Sequence, residues 1–169
     1  DRMPQEEPLH LFLDNFFTST NLFEELSKRN ILVTGTFRRD RVANCPLSSM
    51  KSAKRGDYEA YNTTDAAGGS IVFVRWKDNG EITLGSNCLG VQPLQTVKRW
   101  SKSEKKIVDV PAPAMVIEYN GSMGGTDVMD HAFSCNRPGI RSKKWWFPLF
   151  TFCLQSSMHN AYIVYKNTP

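Results

Sequence analysis

Apolar residues in this chain come in short bursts whose spacing changes from one segment to the next. The first burst, LHLFL, stops abruptly at Asp14 and predicts a buried strand with a carboxylate at its carboxyl end. Leu22, Phe23 and Leu26 then recur at helical spacing with Glu24, Glu25 and Lys28 between them. Thr18, Ser19 and Thr20 supply candidate caps, so a helix is expected from about Thr20 to Lys28, with Asn30 to end it. Ile31 to Thr36, ILVTGT, is rich in β-branched residues and reads as a second strand. Strand, helix, strand implies an α/β unit.

The pattern changes after Phe37. FRRDR is basic, Cys45-Pro46 breaks the chain and KSAKRG is polar, which places a boundary near Asp40. Gly56 to Thr63 and Ser70 to Lys77 have strand character, and Asp78-Asn79-Gly80 predicts a hairpin into Glu81 to Gly85. Val97 to Val110 carries Lys98, Arg99, Lys102, Lys105 and Lys106, and Pro111 and Pro113 close it. A second boundary falls near Pro113, leaving a small β-rich module between the two.

Ala114 to Tyr119 reads as extended and apolar, and Asn120 to Gly125 as a flexible turn. Thr126 is the expected cap of a helix in which Asp127 and Asp130, three residues apart, share one face. Arg137, Arg141, Lys143 and Lys144 then mark a basic loop. From Trp145 onward, Trp146, Leu149, Phe150, Cys153 and Leu154 fit an amphipathic helix entered through Pro148, with its rings read mainly as core.

Composition narrows the class. In 169 residues, a hydrophobic share of 40% with ten Phe and four Trp argues for a folded chain rather than a disordered one. The net charge of +4 is distributed in local clusters, which suits an acidic polymer as partner without requiring one. Neither a secretory signal nor a membrane helix is expected, since no run approaches the roughly 20 apolar residues a span needs. Cys45, Cys88, Cys135 and Cys153 are far apart and read as free intracellular thiols, and the scattered His10, His131 and His159 offer no candidate base. Taken singly, Asp14 is also a turn former, and Asp127 also meets a helix dipole favourably.

The blocks LFLDNFFTS, ILVTGTFRR, EYNGSMGGTDVMD and RPGIRSKKWW, in this order and at this spacing, resemble piggyBac-type transposases along nearly the whole chain. The resemblance implies an α/β, RNase-H-like catalytic fold interrupted by a β-rich insertion and followed by a helical segment. Its pieces would be 1–40 and 114–136 for the core, 41–113 for the insertion, and 137–169 for a basic loop and helix serving DNA binding or dimerisation. It also implies three catalytic aspartates: Asp14 matches the second and Asp127 the third, while the first belongs on a strand upstream of Asp1. Asp130 matches a further acidic position, as a ligand, a supporting partner or a solvated residue. Thr126 stands where the family carries a branched aliphatic residue.

By the same resemblance these carboxylates would hold two magnesium ions about 3.5 to 4 Å apart, an all-oxygen ligand set suited to a hard cation. The expected partners are double-stranded DNA at transposon ends, with TTAA target sites, and a second copy of the protein, all in the nucleus. Arg137, Arg141, Lys143 and Lys144 would touch phosphates, and Lys98 to Lys106 is either a solvated surface or a further contact. This chain alone is expected to lack strand transfer. The alternative is a domesticated, transposase-derived protein that binds DNA or chromatin without catalysis. A free-standing RNase-H-like nuclease fits the carboxylates but not the inserted module.

Overall fold

The computed structural model describes residues 8–42, 45–64, 69–136 and 142–168. The chain divides into two compact units, Asp1–Met123 and Gly124–Pro169.

The first unit opens with strand β1, His10–Leu13, helix α1, Thr20–Lys28, and strand β2, Leu32–Thr36. The two strands pair in parallel, with His10 opposite Leu32, as a helical crossover requires. Ser19 caps α1 from an extended backbone by accepting the Leu22 amide at 3.2 Å. Beyond the helix, Asn30 takes a φ of 56°, a left-handed conformation that suits asparagine and turns the chain out of the helix. The expected strand-helix-strand unit is therefore present within a residue of its expected limits.

Strands β3, Tyr58–Thr64, β4, Ser70–Lys77, and β5, Glu81–Ser86, follow. They do not build a sheet of their own. β5 lies antiparallel against β2, giving one five-stranded sheet in the order β1-β2-β5-β4-β3. The Asp78-Asn79-Gly80 connection forms as its sequence suggests, with the Asp78 amide donating to the Gly80 carbonyl at 2.9 Å.

β4 reads as almost continuously apolar because both of its faces are buried. Ile71 and Phe73 pack with Phe23, Val33, Phe37 and Val42 on the side of α1. Val74 and Trp76 pack on the opposite side with Leu84, Val110 and Met115. Arg75 is only 3% exposed, and its charge is accommodated by hydrogen bonds to Thr83 Oγ1 (3.2 Å) and to the carbonyls of Leu47 (2.8 Å) and Ser48 (2.6 Å).

The lysine-rich stretch, to which the sequence pattern assigned no element, is a hairpin of β6, Gln95–Ser101, and β7, Lys106–Ala112. Trp76 Nε1 donates to the Pro111 carbonyl at 2.8 Å. Asp78 bridges Arg55 at 2.6 Å and Arg99 at 3.0 Å, tying the hairpin to the β4–β5 turn.

One expectation is overturned here: Ala114 to Tyr119 is not extended but opens helix α2, Ala114–Ser122. A short apolar run fits a buried strand and a buried helix equally well. Packing decides for the helix, because Met115, Val116 and Tyr119 all turn into the Trp76 cluster.

At Gly35 in β2 an added Cβ would lie 2.6 Å from Thr18 Cγ2 and 2.8 Å from the Leu13 carbonyl. Backbone cannot yield cheaply, so Gly35→Ala is expected to destabilise the first unit by about 1–3 kcal/mol, read as a lower urea midpoint.

The second unit pairs helix α3, Gly125–Cys135, with helix α4, Phe147–Asn167. Their seam is Phe133, edge-on to Phe152 at 5.5 Å and to His159 at 5.9 Å, with Gln155 Nε2 donating to its carbonyl at 3.2 Å. Pro148 lies in the first turn of α4, as expected. The reading of the following rings as core does not hold: no α4 residue is buried, and Leu149, Phe150 and Leu154 are all exposed. A pair of helices offers one seam, too little to enclose a 21-residue helix. Among the described residues no helix is long and apolar enough to cross a membrane.

Candidate active site

Asp14 follows the last residue of β1 and lies beside the carboxyl end of the parallel strand β2. That is the end of an α/β sheet at which ligands bind. Its carboxylate is exposed, and the hydroxyl of Thr36, the last residue of β2, approaches Oδ1 at a long 3.5 Å. Tyr119 of α2 reaches the same point, its hydroxyl donating to the Leu13 carbonyl at 3.3 Å and lying 3.3 Å from Thr36 Oγ1. Burial pushes the Tyr119 phenol above its ordinary pKa, the Thr36 hydrogen bond opposes this, and the charge of Asp14 adds to it. The phenol is thus neutral and able to donate.

The loop after Asp14 is tightly held. The Phe17 amide donates to the Asp14 carbonyl at 3.0 Å, closing a turn. Arg41 Nη1 lies across three carbonyls, those of Asn15 (3.2 Å), Phe16 (3.0 Å) and Thr18 (3.4 Å). The fully buried Thr18 donates to the Thr36 carbonyl at 2.6 Å, fastening the far end of the loop to β2.

Asp127 and Asp130 lie on α3 in the second unit. The helix starts at Gly124, whose φ of 116° strains any residue with a Cβ. Thr126 is therefore inside the helix rather than its cap, and the Val128 amide bonds to the Gly124 carbonyl at 2.9 Å. Both carboxylates are exposed, with Asp127 in the first turn, where the helix dipole favours it. Asp130 also lines a groove of about 300 Å³ with Phe133 and Phe152. Within neither unit do three or more His, Cys, Asp and Glu side chains gather among the described residues. Asp14, Asp127 and Asp130 have no cationic partner among those residues, so their oxygens are open to a hard divalent cation.

Of the basic loop, Arg137 and Arg141 lie outside the described residues, while Lys143 and Lys144 are exposed ahead of α4. His10, in β1, bonds Thr34 Oγ1 of β2 at 2.9 Å. Sequence reasoning missed Thr36, Tyr119 and Arg41. Tyr119 was hidden by the extended reading; on a helix its one-turn spacing from Met115 would have marked it as core-facing. Arg41 was absorbed into a basic stretch, and no local signal separates a loop clamp from a solvated arginine.

Residues 2–162 match the family model described as Transposase IS4, and the chain belongs to this transposase family. Its relatives are of the piggyBac type, as the sequence blocks suggested. Over 157 residues it is 36% identical to human PiggyBac transposable element-derived protein 3, covering 93% of this chain and 26% of that protein. Over 162 residues it is 30% identical to human PiggyBac transposable element-derived protein 2, covering 94% of this chain and 27% of that protein. The chain thus spans about a quarter of the length of these relatives. The cryo-EM structure of a piggyBac transposase synaptic complex with hairpin DNA shares its mixed α/β fold at a TM-score of 0.65. Identity there is 22%, covering 95% of this chain and 31% of that one.

Proposed function

We propose that this chain is the later part of the catalytic core of a piggyBac-like DNA transposase, with an RNase-H-like core at 1–40 and 114–136 and an insertion at 41–113. Asp14 and Asp127 are the carboxylates that hold catalytic magnesium, with Asp130 as a further ligand or support. The observation that carries this reading is Asp14, an open carboxylate at the carboxyl end of a parallel strand pair, in a loop held by Arg41. The metal pair would stabilise the attacking and leaving oxygens of a phosphodiester. The chain's own residues bind and orient: Asp14 and Asp127 supply oxygens, and neutral Tyr119 and Thr36 steady the strand end beside Asp14.

The partner is double-stranded DNA at transposon ends, with TTAA targets, in a nuclear homodimer; the relative solved with hairpin DNA supports the nucleic-acid part. Arg137, Arg141, Lys143 and Lys144 contact phosphates. Each neutralised phosphate contributes about 0.9 to the slope of log affinity against log salt. Lys143→Glu with Lys144→Glu in the full-length protein is therefore expected to lower that slope by about 2, measured by fluorescence anisotropy from low to high salt. An unchanged slope removes both lysines from the interface. A second reading, DNA binding without catalysis, is favoured by the relatives named transposable element-derived proteins. Magnesium-dependent cleavage of a transposon-end duplex by the full-length protein separates the two.

A further inference from the structure

Two large rings stand in solvent beside Asp14. Phe16 and Phe17 are each 64% exposed, edge-on to one another with centroids 5.1 Å apart. They are not the loose end of a mobile loop, because Arg41 grips the carbonyls of Asn15, Phe16 and Thr18, and Thr18 is locked to β2. The backbone thus holds two phenyl rings out of the core with the same contacts that place Asp14. The surroundings are cationic: the Arg38 guanidinium sits 6.0 Å from the Phe16 ring centre, and Arg38 and Arg39 are exposed with no carboxylate partner among the described residues. Exposed aromatic faces set among positive charges suit nucleic acid, whose bases stack on the rings while its phosphates meet the arginines.

We propose that Phe16 and Phe17 form a corner-shaped platform for an unpaired nucleobase at a DNA strand end, the base stacking on one ring and meeting the edge of the other, so that the adjoining phosphate is presented to Asp14. This rests on the reading of Asp14 as a catalytic carboxylate. The platform positions the substrate, and Arg38 and Arg39 hold the phosphate on the far side of the base.

The test uses the full-length protein and a duplex with a 3′ overhang carrying 2-aminopurine, whose emission falls when it stacks. The wild-type protein is expected to quench it. Phe16→Ala with Phe17→Ala should lose the quenching and bind about tenfold more weakly, within the range of single-base stacking. Phe16→Tyr with Phe17→Tyr should restore both, which a merely structural role would not require. Unchanged quenching and affinity in the alanine variant overturn the platform. So does a variant that loses self-association at unchanged DNA affinity, since the rings would then pack on a second copy, or one that loses only binding to anionic vesicles. Failure of the underlying reading is distinct: Asp14→Asn would still cut DNA while the quenching persisted.

Discussion

Replacing Asp14 by Asn is expected to slow magnesium-dependent DNA cleavage by the full-length protein about 10³-fold or more while leaving its folding intact. Asparagine keeps the shape of the side chain and removes the charge that, on the proposed reading, would hold the metal. Metal ions contribute several kcal/mol of charge stabilisation to such transition states, and about 4 kcal/mol corresponds to a factor near 10³. The fold loses little, because the carboxylate is exposed and, among the described residues, its side chain has only the long 3.5 Å hydrogen bond from Thr36. Cleavage rates under single turnover, set beside urea unfolding curves, check both halves. A rate within tenfold of wild type would remove Asp14 from the site.

The largest loss of stability is expected at Trp76. It is fully buried in the cluster that joins β4 and β5 to β7 and α2, and its indole holds the Pro111 carbonyl. Trp76→Ala should cost about 3–5 kcal/mol, from lost transfer energy, a cavity and an unpaired carbonyl. Trp76→Phe keeps most of the packing but not the hydrogen bond, and should cost about 1–2 kcal/mol. Urea midpoints of the two variants measure the difference. Because Tyr119 belongs to the same cluster, loosening it also frees the hydroxyl that steadies the end of β1. Near-UV circular dichroism and cleavage should therefore decline together in Trp76→Ala, without any change to a carboxylate.

Legibility in the sequence followed the reach of each interaction. α1 and the β4–β5 hairpin were readable because their determinants are local: a serine cap, an asparagine at positive φ, and Asp78-Asn79-Gly80 between two strand-like runs. Asp14 was readable as the residue that interrupts an apolar strand. The joining of β5 to β2 was not, since Gly35 meets Gly85 across the whole intervening segment and no pattern in either strand names the other. Nor was α2, where a buried run carries no period. The exposed rings of α4 misled for a related reason: apolarity predicts burial, but not which surface supplies it. Thr36 and Tyr119 become part of the site only through tertiary contact with the end of β1.

The continuity of the five-stranded sheet also bears on the order of assembly. β2 finds its parallel neighbour β1 nearby, but its other neighbour, β5, arrives only after the intervening strands, with Thr34 and Ser86 separated by 52 positions. Closing a loop of that size costs entropy before any contact returns it, whereas β4 and β5 are joined by a tight turn and meet early. The hairpin is therefore expected to form first and to dock onto β2 as a unit, so that pulse-labelled amide exchange protects β4 and β5 before the ladder between β2 and β5.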